Sequence, residues 1–148
     1  IGTCLVGSEM CIRDSLEEAE IAYDEALVSE AGFTEESGIS AMRKLLKRES
    51  GFTAVFACND HMAFGAYEVL KAEGMQVPEQ ISLVGFDDIL FARYLTPALT
   101  TVNFPIEQMS AEAVQLVIQA LNKNKRDVNF KLTPTLVPRS SVKELNSL

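Results

Sequence analysis

Two carboxylates, Asp87 and Asp88, stand where the apolar run of "ISLVGFDD" ends. Asn59 and Asp60 hold the same place after a second run, "TAVFACND", and Asn103 and Phe104 close a third, "ALTTVNF". An ionised carboxylate accepts two hydroxyl donors, an amide both donates and accepts, and an aromatic face covers C–H surface. Together these groups suit a polyhydroxylated ring such as a sugar. No glycine-rich phosphate loop accompanies them, which disfavours a nucleotide. Plainer readings stand beside this one. Helix capping accounts for Asn59 or Asp60, Asp88 could cap a following turn, and Phe104 before a proline could be core.

Catalysis has little to stand on. His61 is the one histidine, so any nucleophile has a single possible base. Neither GxSxG nor HExxH occurs. Cys4, Cys11 and Cys58 form no disulfide framework and no metal spacing, and Cys58, inside an apolar run, is expected to be a reduced, buried thiol. The reading is of a protein that is not an enzyme and needs no cofactor or metal. Its net charge of −8 argues against this segment itself gripping a phosphate backbone. No apolar stretch approaches the length of about eighteen residues needed to span a bilayer. At 148 residues the chain is long enough for one domain with a real core.

The elements that must position these groups alternate. "LEEAE" reads as the tail of a helix and "EALVSEAGF" as a short strand. Thr34 can cap the helix "EESGISAMRKLLKRE", whose apolar face is Ile39, Met42, Leu45 and Leu46. "FTAVFAC" is a continuous apolar run of the kind buried on both faces of a parallel sheet. A helix "NDHMAFGAYEVLKAEG" follows, opened by Asn59 or Asp60 and closed by Gly74. The strand "QISLVGF", a helical turn "DDILFARYL" and the strand "ALTTVNF" come next. After Pro105 a longer helix carries Ile106, Met109, Ala113, Leu116, Val117 and Ala120 on one face. "NKNKRD" reads as a solvated loop, and "NFKL" and "TLVPRSS" as two strand candidates split by Pro134. Strand and helix alternating at short spacing predict an α/β fold, an open and mostly parallel sheet flanked by helices. Its ligand would lie beyond the carboxyl ends of the strands, where Asn59, Asp87 and Phe104 fall.

The run "AVFACNDHMAFGAYEVLKAEGMQVPEQISLVGFDDILFARYLTPALTTV", with "FTEESGISAMRKLL" and "PTLVPRSSV", closely resembles the effector-binding core of the LacI/GalR family of bacterial transcriptional regulators. The likeness runs from about residue 21 to residue 142. Through "ISLVGFDD", "RYLTPALTTV" and "FPIEQM" it is most similar to the galactose-repressor branch. The resemblance implies part of a type I periplasmic-binding-protein-like fold, with a sugar effector in the cleft between two subdomains. It implies effector contacts from Asn59 and Asp87. Phe104 stands where the family often has a glutamine, so its contact would be stacking. Purine-sensing members lack the asparagine of "ND", so Asn59 favours a sugar.

The same resemblance partitions the chain. Residues 16–103 and 127–148 would be part of the C-terminal effector-binding subdomain, and residues 104–126 a segment returning from the N-terminal one. Residues 1–15 have no clear period and resemble translated adaptor sequence in "CLVGSEMCIRDS", so the native chain is expected to begin near Leu16. A helix-turn-helix head for operator DNA and the family's effector-binding arginine are expected to lie outside this piece, since Arg13 falls in the suspect leader. Phe64, Tyr94 and Leu95 are expected to be exposed, at a homodimer contact. The implied parent is a cytoplasmic, sugar-switched regulator acting as a repressor. The alternative is a periplasmic sugar-binding protein feeding a transporter, which shares the fold and the cleft.

Overall fold

The computed structural model describes residues 6–48, 51–121 and 131–144. The loop expected at "NKNKRD" and the first half of "NFKL" lie outside these residues, as do residues 1–5. Helices α1 (Val6–Glu18), α2 (Glu35–Leu46), α3 (Asp60–Ala72) and α4 (Ile106–Leu121) alternate with short strands. The strands are β1 (Ala54–Phe56), β2 (Ser82–Val84), β3 (Thr101–Asn103) and β4 (Thr135–Val137). β1 pairs with β2 in parallel, with Val55 opposite Leu83. Parallel bridges Val84↔Thr100 and Asp87↔Asn103 carry the ladder on to β3. β4 then pairs antiparallel with β3, Val102 opposite Leu136. The expected open, mostly parallel α/β sheet is present.

Local chemistry starts the helices where expected. Thr34 caps α2 in a reciprocal box, its Oγ1 accepting from the Ser37 N–H at 3.2 Å while Ser37 Oγ accepts from the Thr34 N–H. Asn59 caps α3, and Gly74, at φ +71, takes the left-handed position that follows it. The two helices meet at glycines. An added Cβ on Gly65 would lie 2.1 Å from the Glu35 carbonyl oxygen, and one on Gly38 2.4 Å from that of Met62. This approach lets Met42, Met62, Ala63, Ala66 and Leu70 close over Leu83 and Leu99 as one core. Ser141 fastens the C-terminal segment to the sheet. Its buried hydroxyl donates to the Leu83 carbonyl at 2.6 Å and accepts from the Thr100 N–H at 2.7 Å.

Four expectations need correction. Residues 25–33 do not form a strand. Glu25–Leu27 is a 3-10 turn capped by Asp24, and Val28 is extended without a ladder among the described residues. Arg48 takes the Ala26 and Val28 carbonyls at 3.0 and 2.6 Å, acceptors that a ladder would have used. The run at β1 is not buried on both faces: Ala54 is exposed and Val55 and Phe56 are half-buried. β1 is paired along one edge among the described residues, and its flank opens on an apolar cavity of about 400 Å³. Third, "LEEAE" does end a helix, but that helix runs back to Val6, through residues expected to carry no period. Fourth, Lys131 and Leu132, the described half of "NFKL", are not in a strand, whereas the second candidate forms β4. Among the described residues nothing buries the apolar face of α4. No α4 residue is buried, and Val117 is 60% exposed and Leu121 77%.

Candidate functional site

Three chain segments leave the sheet together at the carboxyl ends of β1, β2 and β3. The Asp60 N–H donates to the Phe86 carbonyl at 2.8 Å, and the Asp87 N–H to that of Val102 at 2.9 Å. These bonds place Asn59, Asp87 and Asn103–Phe104 side by side, as the strand-end argument requires. Asn59 is buried and its amide already works for the fold. Its Oδ1 accepts from the Met62 N–H at 2.8 Å, and its Nδ2 donates to the Phe33 carbonyl at 3.0 Å. Each end of that amide keeps capacity for one further bond. Capping and ligand contact are compatible.

Asp87 and Asp88 have opposite roles. Asp88 is latched: Arg139 Nη2 donates to one oxygen and Asn103 Nδ2 to the other at 3.1 Å. It does not cap the turn at Leu90–Tyr94, whose leading residue is Ile89 and which lacks a side-chain cap. The acceptor for the Ile89 N–H is Asp60, at 2.9 Å. Asp87 is half-buried, and its carboxylate makes no hydrogen bond among the described residues. Burial pushes its pKa up, the charge of Asp60 adds to this, and His61 opposes it. A desolvated carboxylate with both oxygens open gains from neutral donors in pairs, such as neighbouring hydroxyls on a ring. An anionic phosphate would meet repulsion there.

Aromatic surface lies beside it. Phe86 and Phe104 are half-buried, their rings 6.4 Å apart and tilted by 31°. Phe33 is 56% exposed although its carbonyl receives the Asn59 amide. Its exposure has a signal in the sequence. Phe33 precedes the cap of α2, where an apolar residue normally packs on the fourth helical position. That position is Gly38, which offers no side chain, so the ring stays free. Arg139, the partner of Asp88, had no signal in spacing, because 51 residues separate the pair.

Cys58 is buried, as expected, and His61 is exposed. The expected exposure of three residues needs amendment: Tyr94 is 70% exposed, whereas Phe64 and Leu95 are half-buried against the core. Phe91, unassigned from sequence, is 65% exposed and lines one depression with Phe64, Tyr67, Tyr94 and Leu95. Among the described residues no helix is long and apolar enough to cross a membrane. The apolar cavity beside β1 is walled by side chains such as Leu16, Leu27, Phe52 and Val55, which offer hydroxyl groups few partners.

The model of the periplasmic binding protein-like domain matches residues 8–142. The HTH-type transcriptional regulator GalR of Escherichia coli is 45% identical over 130 residues, 87% of this chain and 38% of the regulator. The structure of a transcriptional regulator CelR–cellobiose complex superposes with a TM-score of 0.84 at 40% identity, covering 87% of this chain and 40% of that one. A LacI family transcriptional regulator from Enterococcus faecium with bound ribose gives 0.81 at 29% identity, covering 90% and 50%. The chain thus spans well under two thirds of these relatives' length.

Proposed function

Because the chain belongs to the periplasmic binding protein-like family, within the LacI/GalR regulators, we propose that it is the sugar-sensing and dimerisation portion of a DNA-binding transcriptional regulator, acting as a repressor. One observation carries the sugar reading: the half-buried Asp87 carboxylate stands without a hydrogen-bond partner among the described residues, at a strand edge furnished with aromatic rings. Asp87 accepts two ring hydroxyls, Asn59 adds an amide contact, and Phe104 and Phe33 cover the apolar face of the sugar. The cellobiose complex of CelR and the bound ribose of the Enterococcus faecium regulator support this ligand class.

In this proposal residues 16–103 and 127–148 are part of one subdomain, and residues 104–126 belong to another. The apolar face of α4 and the second edge of β1, neither covered among the described residues, support the partition, since each is a surface that a folded protein covers. Operator DNA is bound through a helix-turn-helix outside this segment, which accords with the charge of −8. The compartment is the cytoplasm, where the operator lies. Phe64, Tyr94 and Leu95, with Phe91 added, form the homodimer contact; aromatic anchors of this kind dominate interface energies.

Calorimetric titration of the full-length regulator against a panel of mono- and disaccharides tests the reading. At least one neutral sugar binds, and nucleotides and sugar phosphates do not. Binding of nucleotides alone would refute it.

A further inference from the structure

Asp60 sits next to the capping residue yet gives nothing to the helix it begins. Asn59 already satisfies the Met62 N–H, and the Asp60 side chain turns back under the sheet edge, wholly buried. Its Oδ1 accepts from the Thr101 hydroxyl at 2.6 Å and its Oδ2 from the Ile89 N–H at 2.9 Å. Its own N–H donates to the Phe86 carbonyl at 2.8 Å. Phe86 and Ile89 are the residues on either side of Asp87 and Asp88. Both aspartates hold positive φ, +109 and +52, a conformation that persists only where its surroundings enforce it. The Asp88 N–H also points at Thr101 Oγ1, at 3.4 Å. The carboxylate fits where it does because residue 85 is glycine, as a Cβ there would lie 2.2 Å from Asp60 Oδ1.

We infer that Asp60 is a positioning residue: with Thr101 it clamps both ends of the left-handed Asp87–Asp88 turn and so aims the Asp87 carboxylate at the sugar. This rests on the effector reading above and adds to it a residue that never touches the ligand. A buried carboxylate suits the task because two acceptor oxygens hold two donors from separate segments at once. Thr101→Val removes one of those donors at nearly constant shape, whereas Thr101→Ser keeps it.

The test is a double-mutant cycle on sugar affinity in the full-length regulator, measured by calorimetry. Thr101→Val weakens binding by about tenfold, the scale of one hydrogen bond to a charged group. Thr101→Ser stays within about twofold of wild type, since it keeps that bond. In an Asp87→Ala background Thr101→Val has no further effect, because the group it aims is gone. If Thr101→Val fails to fold, Asp60→Asn takes its place in the same cycle with the same expectations. Equal weakening in both backgrounds, or none in either, overturns the positioning role and leaves the effector site standing. Wild-type affinity in Asp87→Ala alone overturns the effector site, and this inference with it.

Discussion

Gly65→Ala sets helix propensity against packing, and the geometry says which wins. Alanine in a helix interior is favoured over glycine by about 1 kcal/mol, so local reasoning predicts a more stable protein. The added Cβ, however, would lie 2.1 Å from the Glu35 carbonyl oxygen and 2.7 Å from the Ile39 nitrogen. Both obstacles are backbone, so no rotamer relieves them, and α2 has to withdraw by about 1 Å or more. Withdrawal opens the seam where Met42, Met62 and Ala66 meet. Overpacking of this kind costs roughly 1–3 kcal/mol, and a backbone obstacle belongs at the upper end. The net expectation is a loss of about 2 kcal/mol, read as a lower midpoint in urea unfolding followed by circular dichroism at low protein concentration. Ser40→Ala, at an exposed position on α2, is the control and stays within about 0.5 kcal/mol. A midpoint raised by Gly65→Ala would refute the account of the α2–α3 contact.

Ile118, 51% exposed on α4, can become lysine in the 148-residue chain at a cost below about 0.5 kcal/mol, with less self-association by light scattering. A large loss would show that the chain covers this face. Asp87→Asn stabilises the chain at pH 7, and the gain fades as pH falls toward the ordinary carboxylate value of 3.8. The sign follows from the raised folded pKa: the native state holds this proton more tightly, so rising pH removes stability that the neutral amide never loses. Urea midpoints that differ equally at both ends of that range would contradict it. Tyr94→Asp, at a side chain 70% exposed, yields a folded monomer of the full-length regulator by sedimentation; a persistent dimer places the interface elsewhere.

The chain order of helices and strands from α2 to β3, the cap at Thr34, the start of α3 at Asn59 or Asp60 and the strand-end placement of Asp87 were legible because each is fixed by local pattern. Apolar runs ending in polar residues state where a strand leaves the core, whatever lies across from it. The strand expected at residues 25–33 fails for the opposite reason. β structure needs a neighbour, and Val28 found a guanidinium instead. The division of labour between Asp87 and Asp88 was equally illegible, since it depends on Arg139 far along the chain. Asp60 looked like a second capping candidate and proved to be a buried junction, because its partners Ile89 and Thr101 come from other segments.

The central claim is that the Asp87 carboxylate holds a sugar. Its most direct test is calorimetric titration of the full-length regulator and its Asp87→Ala variant with whichever sugar the wild type binds, after circular dichroism confirms an unchanged fold. Loss of a hydrogen bond to a charged group predicts affinity weakened by at least about 1.5 kcal/mol, more than tenfold. Wild-type affinity in a folded Asp87→Ala variant would contradict the claim.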